Sequence, residues 1–248
     1  MISIQNLHKT YGKQEVLSGV NLEVKAGEFV ALVGLSGSGK SLLLRHIVRL
    51  VKPDSGTVLV DGRDVDQMPR KELEALRSRV GYVFQNGALF DSETVYDNVA
   101  FPLREKTRLS ESEIRQRVMT ELDLVGLTEA VDKFPAQLSG GMLKRAALAR
   151  TLVRAPEIIL FDEPTTGLDP MVVNSILTLF DSAHKRLNLT GILVSHEIPE
   201  IFGIVQKVAM LHDGKIVAEE TPESLRTSPA PIIDQFVNGN IEGPIRLR

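Results

Sequence analysis

The chain has 248 residues, of which 43% are hydrophobic and 25% are charged, and its formal net charge is −3. This composition is typical of a folded globular protein and excludes a fibrous or intrinsically disordered chain. The absence of cysteine excludes disulfides, thiol catalysis and cysteine metal sites. The slightly acidic balance argues against nucleic acid as a partner.

The apolar runs of the chain are short. The longest uninterrupted one is Phe29–Val33, whereas a membrane-spanning helix needs about 20 apolar residues. The opening residues Met1–Gln5 are typical of a strand and lack a basic head followed by an apolar stretch. We therefore expect neither a membrane span nor a signal peptide.

The first sixty residues predict short strands and turns. Apolar and polar residues alternate from Val20 to Val24, the period of a half-buried strand. Phe29–Val33 is apolar throughout, which predicts a strand buried on both faces. Val58–Val60 is a further strand, ended by the turn Asp61-Gly62.

Residues from about 87 to 155 are predicted to be mainly helical. Ser110-Glu111-Ser112-Glu113 is a capping box that begins one helix, and Gly126 is a suitable end for it. Its apolar stripe consists of Ile114, Val118, Leu122 and Val125. Strands return at 158–161 and 192–194, and a hairpin follows over 208–218. The pattern predicts an α/β core with a helical insertion between two core strands.

Residues 226–248 form a tail rich in glycine and proline that also holds Ile233, Phe236 and Val237. Two interpretations are open. The tail is either a frayed terminus or a segment that docks on a partner through these apolar residues.

A phosphate-binding motif, G-x-x-x-x-G-K-[ST], follows the strand at 29–33 and precedes a predicted helix. Its glycines let backbone N–H groups surround phosphate oxygens, Lys40 neutralises the β- and γ-phosphates, and the Ser41 hydroxyl is a Mg²⁺ ligand. The alternative is a glycine turn that merely begins a helix. The predicted nucleotide-binding residues are Gly34, Leu35, Ser36, Gly37, Ser38, Gly39, Lys40, Ser41 and Leu42.

The apolar strand at 158–161 ends in two acids, Asp162 and Glu163. In a phosphate-loop protein such an aspartate lies beside Mg²⁺. The glutamate then stands where it can polarise the attacking water as a general base. A solvated pair of loop acids is the alternative interpretation.

Ser139-Gly140-Gly141 precedes a predicted helix and offers backbone N–H groups and a hydroxyl to a second anion. An ordinary serine cap is the alternative. The order of phosphate loop, Leu138-Ser139-Gly140-Gly141, apolar-Asp162-Glu163 and a later His196 resembles the ATPase subunit of ABC transporters from Ile2 to about Leu225. The resemblance implies a P-loop NTPase core of the RecA-like type with an N-terminal antiparallel β subdomain and a helical insertion, binding ATP and Mg²⁺.

The resemblance assigns further roles. Tyr11 is similar to the aromatic residue that stacks on adenine, and Gln85 to the glutamine that contacts Mg²⁺ and links to the transporter. His196 is similar to the switch histidine at the γ-phosphate, which makes it catalytic beside Glu163. Asp169 belongs to a loop that crosses between subunits. Without the family, Tyr11 would be a half-buried tyrosine near a turn, and His196 would be a histidine that satisfies a local hydrogen bond.

The resemblance also implies an assembly. Each ATP in this family lies between the phosphate loop of one subunit and the signature of the other, so a second copy is required. The signature of this chain is Leu138-Ser139-Gly140-Gly141-Met142. A membrane permease is implied as well, and residues 85–105 are where we expect it to bind. The protein is then peripheral, on the cytoplasmic face of the bacterial inner membrane.

The cargo is indicated by peripheral segments. Residues 84–105 and 134–142 are similar to the Mla-type ATPases, also described as organic-solvent-resistance or toluene-tolerance ATPases, which serve phospholipid transport between membranes. Met142 replaces the usual glutamine of the signature, which fits this type. The implied partners are an MCE-domain lipid-binding protein and a small STAS-domain subunit. An importer of amino acids or other small solutes is the alternative, and a non-transport ABC ATPase lacks support because the chain has one cassette.

Overall fold

The computed structural model describes residues 1–196 and 198–246. Its internal contacts divide the chain into two units, one of Met1–Leu76 and Thr190–Arg248 and the other of Arg77–Leu189. The strands are β1 (Ile2–Tyr11), β2 (Gln14–Val24), β3 (Phe29–Val33), β4 (Ser55–Val60), β5 (Arg63–Asp64), β6 (Val80–Val83), β7 (Ile158–Asp162), β8 (Thr190–Val194), β9 (Lys207–His212) and β10 (Lys215–Glu220). The α-helices are α1 (Lys40–Ile47), α2 (Arg70–Arg79), α3 (Val95–Lys106), α4 (Glu111–Leu124), α5 (Gly140–Leu152), α6 (Pro170–Leu187), α7 (Ile198–Ile201), α8 (Pro222–Arg226) and α9 (Pro231–Asn238).

The first unit begins with an antiparallel sheet of order β2-β1-β4-β5. The alternation predicted from Val20 to Val24 is confirmed, because Val20, Leu22 and Val24 are buried while Asn21 and Glu23 are exposed. One face of this sheet therefore supplies a core and the other faces solvent. The expected N-terminal antiparallel β subdomain is present.

The same unit holds a largely parallel sheet segment in which β3 pairs with β8 on one side and β9 on the other. All five residues of β3 are buried, as its continuous apolar sequence predicts. The hairpin partner β10 runs antiparallel to β9. Because β3 and β8 are parallel and in register from Phe29↔Gly191 to Leu32↔Val194, the segments that follow both strands emerge at the same edge.

The second unit contains the parallel pair β6 and β7, in register from Val80↔Ile158 to Val83↔Phe161. Phe161 of β7 stacks on Phe180 of α6 with ring centroids 4.0 Å apart. Helices α3, α4 and α5 also lie in this unit. The predicted fold class, an α/β core with a helical insertion, is confirmed.

Helix α4 begins and ends as the sequence predicts. The capping box between Ser110 and Glu113 is formed in both directions, and the two hydrogen bonds from Ser110 hold the pKa of Glu113 below its usual range. The stripe from Ile114 to Val125 is buried. Within the part of the chain that the structure describes, no helix is both long and apolar enough to cross a bilayer.

The tail contains the helix α9, in which Ile233 and Gln235 are buried. The Gln235 side chain bonds the main chain of Ile245 twice: its Oε1 accepts from Ile245 N at 2.7 Å, and its Nε2 donates to Ile245 O at 3.0 Å. These bonds fold residues 239–246 back along α9. Through residue 246 the tail is therefore a helix followed by a return loop that packs on it.

Candidate functional site

The phosphate-binding loop lies in the first unit between β3 and α1. Gly34 has φ +145°, and a Cβ there would lie 2.2 Å from the main-chain oxygen of Leu211. Gly39, the residue before α1, has φ +103°. Both conformations are open to glycine and strained for other residues. The loop therefore takes a backbone path that the residue types of the motif require.

Two polar side chains of the loop, Lys40 and Ser38, place their polar atoms inside it. Lys40 is 3% exposed, and its Nζ donates to Gly34 O at 2.9 Å and to Leu35 O at 2.8 Å. The Ser38 hydroxyl is buried and has no hydrogen-bond partner among the residues described. An orphaned buried hydroxyl costs free energy unless a ligand satisfies it. The loop thus fits the oxyanion ligand that its sequence predicts.

Tyr11 ends β1 and is 52% exposed, so its ring is open to a planar ligand. Lys9 Nζ lies 5.5 Å from the ring centroid. Asp54 holds this strand end, because it accepts from Lys9 Nζ at 2.7 Å and from Thr10 N at 2.7 Å. The Lys9 contact, followed by the Thr10 bond, keeps the pKa of Asp54 below its usual range. Asp54 was not expected from sequence, since it lies far along the chain in a turn.

His196 also lies in the first unit and is exposed. It follows Ser195, whose N–H donates to Leu32 O at 3.4 Å. Since β3 and β8 run parallel side by side, the structure brings the beginning of the phosphate loop and His196 to the same sheet edge.

The predicted acids lie in the second unit at the end of β7. Asp162 is 5% exposed and accepts a hydrogen bond from the Tyr82 hydroxyl at 2.9 Å. Glu163 has φ +49°, a left-handed conformation that is uncommon for a residue with a side chain. Such backbone strain concentrates at functional sites. The chain therefore turns sharply between the two carboxylates.

The Glu163 carboxylate accepts hydrogen bonds from two side chains. Its Oε2 accepts from Gln85 Nε2 at 3.3 Å and from Thr166 Oγ1 at 3.4 Å. Lys144 of α5 donates to the main-chain oxygen of Gln85. The structure thus brings together two residues predicted from motifs, Gln85 and Glu163. It adds Tyr82, Thr166 and Lys144, to which sequence reasoning gave no role beside these carboxylates. Their partners are set by strand register and helix packing, for which the sequence carries no local signal.

The signature turn begins α5. Ser139 is the N-cap, and its hydroxyl accepts from Met142 N at 3.4 Å. A Cβ on Gly140 would lie 3.2 Å from Leu168 Cδ2, and one on Gly141 would lie 2.7 Å from Val172 Cγ1. The lack of side chains at these glycines leaves room for Leu168 and Val172. Asp169, between those two residues, is exposed at the start of α6.

The predicted site residues thus fall into two sets. The first unit carries Tyr11, the phosphate loop with Ser41 and Leu42, and His196. The second unit carries Gln85, Ser139–Gly141, Asp162, Glu163 and Asp169. Among residues 1–196 and 198–246 there is no cluster of three or more histidine and acidic side chains that would hold a metal by themselves.

Comparisons with known proteins agree with this geometry. A sequence profile described as ABC transporter matches residues 17–166. The chain is 42% identical over 248 residues to the intermembrane phospholipid transport system ATP-binding protein MlaF of Haemophilus influenzae, and the match covers 100% of this chain and 94% of that protein. It is 42% identical over 246 residues to the probable ribonucleotide transport ATP-binding protein mkl of Mycobacterium leprae, covering 99% of this chain and 71% of that protein. A solved dimeric ATP-binding cassette, in a post-hydrolysis state with ADP and Pi bound, matches with a TM-score of 0.82 and 35% identity, covering 90% of this chain and 99% of that one.

Proposed function

The chain belongs to the ABC transporter family as an ATP-hydrolysing subunit, and we propose that it drives the transport of phospholipid between two membranes. The assignment of phospholipid as the cargo rests on the match to MlaF, which covers all of this chain and nearly all of that protein. The segments 84–105 and 134–142, which extend beyond Gln85 and the signature residues they contain, are similar to the same type. Met142 in the signature is part of that pattern.

ATP binding begins at the phosphate loop. The triphosphate lies at the N-terminus of α1, where the backbone N–H groups of the loop and the helix dipole favour negative charge. Lys40 exchanges its bonds to Gly34 O and Leu35 O for phosphate oxygens, and the orphaned Ser38 hydroxyl gains a partner. Tyr11 receives the adenine on the ring face opposite Lys9.

Hydrolysis is assigned to Glu163 and His196. Glu163 accepts the proton of the attacking water as general base, and Gln85 and Thr166 hold its carboxylate in one orientation. His196 holds the geometry of the γ-phosphate. Lys40 stabilises the negative charge that develops in the transition state.

The side chains also fit Mg²⁺. Ser41, Gln85 and Asp162 offer hydroxyl, amide and carboxylate oxygens, which are the ligands that this ion prefers. Gln85 uses its amide nitrogen toward Glu163, so its amide oxygen is the atom that serves the metal. When bound, Mg²⁺ supplies positive charge to the phosphate oxygens.

The functional assembly is a homodimer. One chain has a single phosphate loop and a single signature, so Ser139, Gly140 and Gly141 of one copy complete the ATP site of the other, and Asp169 lies in the crossing loop. ATP then favours the closed dimer because only closure adds the second set of contacts. Loss of the γ-phosphate removes these contacts and reopens the dimer.

The partners follow from the transport role. A membrane permease binds at residues 85–105, and an MCE-domain lipid-binding protein and a small STAS-domain subunit complete the system. The protein is peripheral, on the cytoplasmic face of the bacterial inner membrane. Residues 1–225 form the ATPase domain, with residues 87–155 as its helical subdomain. The tail 226–248 docks on the second ATPase or on the small subunit.

The role of Glu163 is tested by Glu163→Gln, which keeps the shape of the side chain and removes its basicity. Steady-state hydrolysis should fall by about 10²–10⁴-fold while ATP binding persists. Glu111→Gln is a matched control, because Glu111 pairs with Arg104 away from the motif. Turnover like that of the unchanged protein in Glu163→Gln contradicts the assignment.

The cargo is tested with the complex purified from its native membrane. Co-purifying subunits and bound lipid are identified, and the complex is then placed in vesicles that contain a fluorescent phospholipid. We expect ATP-dependent transfer of the labelled lipid, and none with Glu163→Gln.

A small-solute carrier is the second candidate, since mkl is as similar in identity as MlaF. If the small-solute alternative is right, the same vesicles should show ATP-dependent movement of a labelled ribonucleotide or amino acid and no lipid transfer. That result would contradict the phospholipid proposal.

A further inference from the structure

We infer that Tyr82 is a positioning residue for Mg²⁺, because its phenol hydroxyl fixes the carboxylate of Asp162. The Tyr82 hydroxyl donates to Asp162 Oδ2 over 2.9 Å. The inference rests on the metal-binding role proposed above for Asp162. Tyr82 belongs to none of the nucleotide motifs in the sequence, and it lies in the strand β6, three residues before Gln85.

Strand register explains why a tyrosine reaches this aspartate. Tyr82 is paired with Leu160 in the parallel ladder of β6 and β7, and side chains two residues apart on a strand share a face. Asp162 therefore lies on the same face as Tyr82, one step further along the neighbouring strand. The tyrosine side chain is long enough to reach this diagonal neighbour, as the 2.9 Å bond shows.

The ring of Tyr82 is held in place before any ligand arrives. It stacks on Phe84, with centroids 4.2 Å apart and ring planes 25° from parallel. The register of the two strands is fixed at their other end by Arg79 and Glu157, which are joined by a main-chain bond of 2.9 Å and a side-chain pair of 2.6 Å. The phenol hydroxyl is thereby aimed at a fixed point.

The chemistry of a phenol suits this task. Its O–H donates to a carboxylate without neutralising it, so Asp162 keeps the negative charge that attracts a divalent cation. A lysine or arginine here would compete with the metal for that charge. Because Asp162 is 5% exposed, little solvent is available to replace the bond. Partners that orient a metal ligand in this way are typically worth 10–100-fold in metal affinity.

The test measures metal binding by the full chain. Mn²⁺ is titrated in the presence of a non-hydrolysable ATP analogue, and the free ion is followed by electron paramagnetic resonance. In Tyr82→Phe the Kd for Mn²⁺ should rise by about tenfold. Affinity for the analogue in EDTA should stay as in the unchanged protein. The ring and its stack on Phe84 are retained in this variant, and an unaltered unfolding temperature verifies the fold.

Two further variants make the outcomes distinguishable. Tyr96→Phe removes a phenol hydroxyl elsewhere in the same unit, where the ring lies near the guanidinium groups of Arg104 and Arg115, and it should leave the Kd unchanged. Asp162→Asn should weaken Mn²⁺ binding more than Tyr82→Phe does. If Asp162→Asn binds weakly and Tyr82→Phe binds normally, the role of Tyr82 is overturned. If Asp162→Asn itself binds normally, the proposed metal role of Asp162 fails first.

Discussion

The phosphate-binding loop and the signature turn both depend on glycine, but for different physical reasons. At Gly34 the backbone itself requires glycine, since φ is +145° and the nearest atom to an added Cβ would be a main-chain oxygen at 2.2 Å. Gly141 lies in the first turn of α5 without a positive φ, and an added Cβ would meet the end of a side chain, Val172, at 2.7 Å. A main-chain obstacle cannot be shortened by mutation, whereas a side-chain obstacle can. A side chain at Gly34 is therefore excluded by the backbone itself. A side chain at Gly141 is excluded only by the neighbouring Val172 side chain.

Gly34→Ala should have the largest effect. The strained backbone costs about 1–3 kcal/mol and the overpacking against Leu211 about 1–3 kcal/mol more. The free energy of unfolding, measured with urea, should thus fall by roughly 2–6 kcal/mol, and ATP binding should be lost.

Gly37→Ala in the same loop is the matched control for Gly34→Ala. Its φ is +75°, but no heavy atom lies within 4 Å of an added Cβ. The expected loss is only about 1–2 kcal/mol. Equal losses at the two positions would contradict the account of Gly34.

Gly141→Ala should have a smaller effect that can be repaired. Alone it should destabilise the protein by about 1–3 kcal/mol through overpacking. Combined with Val172→Ala the clash is gone, and alanine is favoured over glycine within a helix by about 0.5–1 kcal/mol. A double-mutant cycle in urea should show a favourable coupling of about 0.5–3 kcal/mol. Strictly additive effects would show that Val172 is not the obstacle.

The smallest effect on stability is expected when the pH is lowered. It acts through His46 of α1, the helix that follows the loop. His46 is 2% exposed, and burial lowers its pKa, partly opposed by its bond to Val51 O. The unfolded chain therefore takes up a proton at a higher pH than the folded one. The contribution of His46 to the free energy of unfolding is fully present above about pH 6.5. It is lost as the pH falls from there toward the folded pKa.

His46→Asn should flatten this part of the pH dependence in urea unfolding between about pH 7.5 and 5.5. Helix α5 carries no histidine. Lowering the pH should therefore act through His46 on the region of the phosphate loop and not on the signature turn. An unchanged slope in His46→Asn would contradict the role of burial.

Much of the molecule could be predicted from sequence because its signals are local. The alternating strand β2, the apolar strand β3, the capping box of α4 and the order of the nucleotide motifs all depend on residues close together in the chain. The helix α9 was harder to predict, because its stability depends on Gln235 reaching Ile245.

The remainder of the site depends on contacts between distant segments. Tyr82 and Asp162 meet only because β6 and β7 adopt one particular register, and Lys144 reaches Gln85 only through helix packing. The two kinds of glycine are alike in sequence and differ only in what surrounds them. Such features follow from tertiary packing, on which local patterns carry no information.

In the proposed homodimer, the phosphate loop of one copy works with the signature of the other. The most direct measurement mixes two inactive variants, Lys40→Ala and Ser139→Arg, after partial unfolding and refolding together, and follows phosphate release. A mixed dimer contains one site made of an intact loop and an intact signature. Each variant alone should be inactive, and hydrolysis should appear on mixing. A mixture that stays inactive although mixed dimers form, or a Ser139→Arg variant that is fully active alone, would contradict it.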